Sequence, residues 1–161
     1  MSQAEQIMET AQIRKNDLNL PYAGAVTSEE AYQLLENLAQ ALLVDVRTKA
    51  ERDWVGMIKL SADKNANIHH HIEWNTYPGG TRNEQFLDQL SAVLADELKS
   101  NTPIFFLCRS GVRSDGAARL ATEHGYVCYN ILEGFEGDKD AAGHRKTVGG
   151  WCAKGLPWVG A

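Results

Sequence analysis

Apolar side chains recur with a helical period in two segments of the chain. Before the first segment, Thr27 and Glu30 have the spacing of a capping box, in which the two residues satisfy each other's backbone N–H groups at a helix start. The apolar positions that follow are Ala31, Leu34, Leu35, Leu38 and Ala39. A second amphipathic helix is predicted over residues 83–98, where one face carries Phe86, Leu87, Leu90, Val93, Leu94 and Leu98.

Short, nearly continuous apolar runs separate these helices. They cover residues 41–46, 104–107 and 126–132, and each has the length and composition of a buried strand. Residues 68–72, with three histidines between two isoleucines, are a further candidate for a short strand. A third helix is predicted to begin at about Ser114 and to end at Gly125, because glycine commonly terminates helices. Strands that alternate with helices in this way are typical of an α/β domain whose mainly parallel sheet is covered on both faces.

The length of the chain, 161 residues, fits one domain with a single well-filled core. Residues 1–22 are polar and mixed, so we expect an N-terminal arm or a short helix there. The domain itself is expected to span residues 23–161 and to include a glycine-rich C-terminal extension.

Composition and charge narrow the possible partners. The formal net charge of −5 argues against a broad nucleic-acid surface. No apolar run approaches the roughly 18 residues that a membrane span requires, and the first residues lack the apolar core of a signal peptide. We therefore expect a cytoplasmic protein that binds neither nucleic acid nor a membrane.

Cysteine and histidine spacing gives no metal signal. The three cysteines, Cys108, Cys128 and Cys152, form no CxxC pair and no zinc-type cluster with histidine. His69 and His71 share one face of a predicted strand, but two ligands are too few for a closed zinc site. We predict free thiols in a reducing compartment and no metal.

The strongest chemical signal is the loop that follows the apolar run at 104–107. Cys108 stands at the carboxyl end of this predicted strand, where ligands of open α/β sheets bind. The next helix presents its unpaired N-terminal N–H groups at the same place, and Gly111 tolerates the positive φ that a tight loop requires. The sequence predicts an anion cradle formed by Arg109, Ser110, Gly111, Val112, Arg113 and Ser114.

Cationic surroundings favour the thiolate, which is the nucleophilic form of cysteine. We therefore expect Cys108 to be a nucleophile and expect Arg109 and Arg113 to supply positive charge to the bound anion. Ser114 is expected either to cap the helix or to donate to the anion. The alternative is that Cys108 is only a small buried apolar residue.

Several segments carry a family resemblance. The loop "CRSGVRS" resembles the active-site loop of rhodanese-like sulfurtransferases. The resemblance extends from about residue 24 to 158, because the chain also holds similar flanking segments in the family's order. These are "LLVDVRTKAE", "WVGMI", "YNILEGFEGD" and "GWCAKGLPW".

This resemblance implies both a fold and a reaction. The fold is a three-layer α/β/α domain with a central five-stranded parallel sheet. Cys108 takes a sulfane sulfur atom from a small anionic, thiosulfate-like donor and forms a persulfide. The sulfur then passes to cyanide, to a thiol or to an acceptor protein, and no organic cofactor is needed.

Two alternatives remain open at this stage. Cysteine-dependent phosphatases and arsenate reductases use Cys-x5-Arg, whereas only four residues separate Cys108 from Arg113, which favours a sulfur donor over a phosphate ester. A sulfur-relay or regulatory module that mainly docks a partner is the second alternative. Such modules commonly lack the cysteine, so its presence favours an enzyme.

Supporting residues are predicted on neighbouring segments. Asp45, Arg47 and Glu51 follow a predicted strand and either position the loop or form a structural set of salt bridges. Trp54 and Phe135 either wall the pocket or belong to the core, and Phe135 is favoured because it follows the last predicted strand.

The C-terminal extension is less defined. Residues 136–150 either fold over the pocket, bringing His144 or Arg145 to it, or form a solvated loop. Cys128 lies in an apolar stretch and is predicted to be buried and inert, whereas Cys152 is a candidate resolving thiol.

Overall fold

The computed structural model describes residues 2–94 and 101–160, and these contain seven helices and seven strands. The helices are α1 (Gln3–Leu18), α2 (Ser28–Asn37), α3 (Lys49–Trp54), α4 (Ala62–Asn67), α5 (Phe86–Leu94), α6 (Val112–Glu123) and α7 (Gly150–Ala153). The strands are β1 (Gly24–Val26), β2 (Leu42–Asp45), β3 (Met57–Ile58), β4 (His69–His71), β5 (Pro103–Leu107), β6 (Val127–Ile131) and β7 (Trp158–Val159). None of the helices in these ranges is long and apolar enough to cross a membrane.

Five strands form one parallel sheet in the order β1–β6–β5–β2–β4. In its register Phe105 of the central strand β5 lies between Leu43 of β2 and Tyr129 of β6. The short strands β3 and β7 pair antiparallel in a separate ribbon. The predicted five-stranded parallel sheet is confirmed, and its parallel arrangement brings all five carboxyl ends to one edge.

Side-chain alternation along β5 divides the core into two parts. Phe105 and Leu107 face the side covered by α1, α2 and α7. Ile104, Phe106 and Cys108 face the side covered by α5 and α6. Consecutive strand residues point to opposite faces, which explains why neighbours on β5 belong to different sides of the core. Helices pack on each side, so both faces of the sheet are covered, as predicted. Cys108 therefore follows the central strand on the α5–α6 side.

The N-terminal segment is a 16-residue helix, α1, that packs on the sheet. Ser2 caps it by accepting a hydrogen bond from the Glu5 N–H. Ala11 is fully buried, and a side chain on Gly24 would place its Cβ 2.8 Å from the Ala11 carbonyl oxygen. Since α1 contributes to the same core as α2, it is more than a loose arm.

The predicted helix boundaries hold to within a few residues. The capping box is present: Thr27 Oγ1 accepts the Glu30 N–H at 3.2 Å, and Glu30 Oε1 accepts the Thr27 N–H at 2.9 Å. Helix α5 begins at Phe86 rather than at 83, because the Asn83 side chain accepts the Gln85 N–H in a turn. Residues 95–98 of that prediction lie outside the described residues. Helix α6 begins two residues before the predicted start.

Candidate active site

The carboxyl edge of the sheet brings together four segments that are distant in sequence. Cys108 follows β5, and α3 with its cap Thr48 follows β2. A loop over residues 75–82 follows β4, and a glycine-containing turn over residues 133–137 follows β6. This meeting of loops is the expected ligand-binding location of a parallel sheet.

The loop after Cys108 turns back on the sulfur atom. Gly111 adopts φ 104°, a conformation that glycine tolerates best, and serves as the N-cap of α6. Its N–H donates to Cys108 Sγ at 3.0 Å. The N–H groups of Arg109, Ser110, Val112 and Arg113 have no acceptor among the described residues. A row of free N–H groups at a helix start, around a sulfur that already accepts one, can bind an anion.

Ser114 lies behind the sulfur atom, where it neither caps α6 nor lines the cleft. Its hydroxyl lies 3.2 Å from Cys108 Sγ and donates to Asn130 Oδ1 at 2.6 Å. Asn130 Nδ2 in turn donates to the Gly111 carbonyl oxygen at 3.1 Å. A serine hydroxyl has one proton, so the proton that is shared with Asn130 can instead be donated to Sγ when the sulfur is anionic.

The turn after β6 braces the cysteine loop from the other side. The N–H groups of Phe135 and Glu136 donate to the carbonyl oxygens of Cys108 and Arg109, both at 2.9 Å. Gly134 has φ 67°, and a Cβ there would lie 2.4 Å from the Cys108 carbonyl oxygen. The two backbones approach so closely that only glycine fits at this position.

Glu51 engages both terminal nitrogens of Arg113. The distances are 2.6 Å from Nη1 to Oε1 and 2.9 Å from Nη2 to Oε2, which is bidentate geometry. Burial works against the charge of Glu51, but the hydrogen bonds and charge of Arg113 hold the pKa of this carboxyl below its usual value. Glu51 also accepts the Thr48 N–H and so completes a capping box of α3.

Arg109, by contrast, is exposed and has no side-chain partner in the described ranges.

We expect Glu51→Gln to lower the free energy of unfolding at pH 7 by about 1–2 kcal/mol, because it replaces charge-assisted hydrogen bonds in a partly exposed pair by neutral ones. The glutamine keeps a carbonyl oxygen for the helix cap. A carboxylate whose pKa is depressed stabilises the fold above its unfolded pKa, and this contribution is lost as the pH falls through the folded value. Urea unfolding should therefore show a difference at pH 7 that shrinks below about pH 4.

The matched control is Glu9→Gln, since Glu9 is an exposed glutamate of α1 without a side-chain partner among the described residues. It should change the stability by less than about 0.5 kcal/mol at either pH. Equal effects of the two substitutions would contradict the structural role of the Glu51–Arg113 pair.

Asp45 and Arg47 form a fully buried ion pair beneath the site. Arg47 Nη2 and Nε lie 2.7 Å and 3.0 Å from the two carboxylate oxygens, and both side chains are 0% exposed. The Arg47 Cζ atom stacks 4.4 Å from the centre of the Phe135 ring, and Nη1 has no hydrogen-bond partner within the described ranges. The suggestion that Phe135 walls the pocket is corrected: its ring is completely buried and packs on Arg47.

The cleft over Cys108 has a volume of about 480 Å³. Its lining from the predicted set consists of Glu51, Cys108, Arg109, Ser110, Val112 and Arg113. Sequence reasoning missed the rest of the lining, which is Thr48 and four residues of the loop after β4: Asn75, Thr76, Tyr77 and Gly80. That loop is an ordered turn, in which the Thr76 N–H donates to Thr81 and the Gly80 N–H to Thr76. The signal in the sequence was the turn at Pro78, Gly79 and Gly80, which is the first turn after the predicted strand at 68–72.

The C-terminal extension does not line the cleft. Asp140 organises residues 140–147 by accepting the N–H groups of Ala142 and His144 and the Thr147 hydroxyl. Arg145 donates to the Gly137 carbonyl oxygen at 2.6 Å. The extension is therefore a compact loop of its own, held to the turn after β6.

The other cysteines have environments unlike that of Cys108. Burial raises the pKa of Cys128 to about 12 and the pKa of Cys152 to about 11. Cys152 packs against the core side that holds Phe135, on the opposite face of the sheet from Cys108. All three cysteines are free, and nothing in this arrangement brings Cys152 to Cys108 as a resolving thiol.

Comparison with known proteins agrees with the fold. Residues 27–141 match the family profile of the rhodanese-like domain. Uncharacterized proteins of Rickettsia conorii and Rickettsia rickettsii are 38% and 37% identical over 134 residues, which are 83% of this chain and 94% of each relative.

Two solved structures extend the comparison. The crystal structure of Rv0390 from M. tuberculosis has a TM-score of 0.73 and 45% identity, covering 87% of this chain and 99% of that one. The solution structure of the polysulfide-sulfur transferase homodimer from Wolinella succinogenes has a TM-score of 0.56 and 19% identity, covering 100% of this chain and 95% of that one. The second likeness is one of fold.

Proposed function

The chain belongs to the rhodanese-like domain family, and from that premise we propose that it is a sulfurtransferase in which Cys108 carries the transferred sulfur atom. The observation that supports this most directly is the position of Cys108 Sγ. It accepts the Gly111 N–H at 3.0 Å at the floor of a cleft, and the remaining N–H groups of the loop have no acceptor among residues 2–94 and 101–160. Hydrogen-bond donors arranged in this way can hold a bound anion over the sulfur.

In the first step of the proposed reaction, the Cys108 thiolate attacks the outer sulfur of a thiosulfate-like donor. A Sγ–S bond forms, the S–S bond of the donor breaks, and sulfite leaves with its electron pair. The product is the anionic persulfide of Cys108. The N–H groups of Arg109, Ser110, Val112 and Arg113, which have no acceptor in the described part of the chain, would hold the negative charge of the donor. The exposed Arg109 side chain would attract the donor.

In the second step, a nucleophilic acceptor attacks the outer sulfur of the persulfide. With cyanide, a C–S bond forms, the Sγ–S bond breaks, and thiocyanate leaves while the electron pair returns to Cys108 as thiolate. Ser114 and Gly111 can donate hydrogen bonds to the sulfur that regains the charge. No oxidant or reductant is consumed in the cycle.

The geometry favours this reaction over phosphate-ester hydrolysis. A cysteine-dependent phosphatase needs the arginine of its loop to hold the phosphoryl oxygens with its forked donors. Here both terminal nitrogens of Arg113 are bonded to Glu51. The loop is also one residue shorter than the phosphatase loop, since four residues separate Cys108 from Arg113.

Intact mass spectrometry tests the proposal. The protein is incubated with thiosulfate, desalted and weighed, and the modified residue is located by peptide mapping. We expect a gain of one sulfur atom on Cys108 and none on Cys128 or Cys152, whose raised pKa values keep them as thiols. Adding cyanide should remove the extra mass and release thiocyanate.

Two results would count against the proposal. One is the absence of any sulfur gain from thiosulfate and from polysulfide, with hydrolysis of an aryl phosphate in its place. The other is sulfur found on Cys128 or Cys152 rather than on Cys108. A stable persulfide that forms but turns over slowly with cyanide would instead indicate a sulfur relay, which is the second function that the intact site permits.

A further inference from the structure

An apolar groove adjoins the cleft over Cys108. It has a volume of about 490 Å³ and is lined by Thr48, Ala50, Glu51, Trp54, Val55 and Tyr77. Three of these residues, Thr48, Glu51 and Tyr77, also line the cleft. The groove and the cleft are therefore adjacent, and the groove lies between α3 and the loop after β4.

The groove and the cleft are bordered by large apolar side chains that are exposed to solvent. Trp54 is 83% exposed, Tyr77 70% and Val112 77%. Neither aromatic ring contacts another ring among the described residues. Exposed apolar side chains that are scattered singly need no explanation, whereas these three line two adjacent depressions, an arrangement typical of interaction sites.

We propose that this groove is the acceptor subsite and that it binds an apolar side chain of a polypeptide whose cysteine takes the sulfur atom from Cys108. The proposal rests on the sulfurtransferase function proposed above. Cyanide needs no apolar surface, so the groove has no use in the assay reaction. It does suit an acceptor that places a thiol in the cleft and an apolar group beside it.

The shape of the site favours a polypeptide over a small thiol. Sites for small molecules bury most of the ligand in a concave pocket, whereas Trp54 and Tyr77 stand out on an open surface. Tryptophan and tyrosine are enriched at the centres of protein interfaces, where they contribute much of the binding energy.

The charge of the cleft fits the reacting form of such an acceptor. The Glu51–Arg113 pair is neutral as a unit, and Arg109 is an exposed cation without a side-chain partner in the described part of the chain. Arg109 offsets the negative charge of the Cys108 persulfide, so an approaching thiolate does not meet a net negative cleft. The acceptor thiolate attacks the outer persulfide sulfur, a new S–S bond forms on the acceptor, the Sγ–S bond breaks, and its electron pair returns to Cys108.

The test measures how fast the loaded protein passes its sulfur to defined thiols. The full chain is loaded with thiosulfate, desalted and mixed with acetyl-Phe-Cys-Gly-amide, acetyl-Gly-Cys-Phe-amide, acetyl-Gly-Cys-Gly-amide, benzyl thiol or cyanide. The remaining persulfide is followed by intact mass. We expect the faster of the two phenylalanine peptides to discharge the protein about tenfold faster than the glycine peptide, as partial burial of one aromatic side chain predicts.

Variants assign this preference to the groove. In Trp54→Ala, the ratio of the phenylalanine-peptide rate to the cyanide rate should fall about tenfold, because the aromatic wall is lost. The matched control is Ile13→Ala, since Ile13 is an exposed apolar residue on α1, remote from the cleft. Its ratio should equal that of the unmodified chain. Circular dichroism confirms that both variants are folded.

The outcomes separate this inference from the function on which it rests. If the unmodified chain gains no sulfur, the proposed function fails and the acceptor subsite fails with it. If it loads and cyanide discharges it, but the peptides all react at one rate, only the subsite is overturned. A preference for benzyl thiol that depends on Trp54, without one for the phenylalanine peptides, would overturn the polypeptide as occupant.

Discussion

Replacement of Cys108 by serine is expected to lower the rate of thiocyanate formation from thiosulfate and cyanide at least about a thousandfold. A serine hydroxyl is nearly the same size as the thiol and can keep the contacts with Ser114 and the Gly111 N–H. It is not ionised near neutral pH and forms no persulfide. The substitution therefore removes the chemistry and leaves the surrounding loop in place.

The experiment compares initial rates of thiocyanate formation and intact masses after incubation with thiosulfate. Cys152→Ser is the matched control, because Cys152 is a free thiol in the same chain that packs on the other face of the sheet. That variant should retain a rate within about twofold of the unmodified chain. Residual turnover above about one tenth in Cys108→Ser would show that another group carries the sulfur, and the proposed mechanism would be wrong.

The α/β class and several elements could be predicted from sequence because their signals are local, whereas the number of strands in the sheet came from the family resemblance. Apolar runs marked β2, β5 and β6, and the capping box of Thr27 and Glu30 located the start of α2. The same holds for the loop after β5, whose strand end, glycine and helix start are neighbours in the chain. Features of this kind depend on the backbone preferences of a few adjacent residues.

Contacts that join distant segments could not be predicted in this way. Arg113 and Glu51 are 62 residues apart in the sequence. Nothing in either segment shows that the Arg113 guanidinium donates its hydrogen bonds to Glu51. The same is true of Asn130, which reaches the cysteine loop from β6. For residues 1–22 the choice between an arm and a short helix stayed open for another reason: the buried side of α1 is narrow, with Ala11 as its one fully buried residue, so its hydrophobic period is weak.

The structure gives different roles to Glu51 and to the pair of Asp45 and Arg47, which the sequence analysis had grouped together. Glu51 lines the cleft and fixes Arg113, so it belongs to the site. Asp45 and Arg47 are buried and hydrogen-bonded to each other, two residues apart, which is the structural salt bridge that the sequence left as one alternative. Their effect on the cleft is indirect, since Thr48 and α3 follow them in the chain.

Substituting asparagine for Asp45 should cost about 3–5 kcal/mol of the free energy of unfolding at pH 7, because it leaves the Arg47 guanidinium buried without its counter-ion. The asparagine NH₂ group would also face Arg47 donors that are now bonded to carboxylate oxygens. Domains of this kind have total stabilities of about 5–15 kcal/mol, so the loss is a large fraction. Urea unfolding followed by circular dichroism measures it.

Two further variants test whether the loss of stability in Asp45→Asn comes from the burial of the Asp45–Arg47 pair. Asp53→Asn removes the carboxylate of the ion pair with Lys49, in which the Asp53 side chain is 48% exposed, and should cost less than about 1 kcal/mol. The double variant Asp45→Leu with Arg47→Met removes both charges and should recover most of the stability that Asp45→Asn loses, since an apolar pair needs no desolvation. Similar losses from Asp45→Asn and Asp53→Asn would contradict the prediction.

The pH dependence supplies an independent check on the same pair. Burial works against the charge of Asp45, but the charge and hydrogen bonds of Arg47 prevail and hold the pKa of the carboxyl below its usual value. A depressed carboxylate pKa stabilises the fold above the unfolded value of about 3.9, and the contribution disappears as the pH falls through the folded value. The stability gap between the unmodified chain and Asp45→Asn should therefore be constant from pH 7 to about pH 5 and should close at lower pH. If the difference in the free energy of unfolding instead grew as the pH fell, loss of the carboxylate charge would not be the cause of the destabilisation in Asp45→Asn.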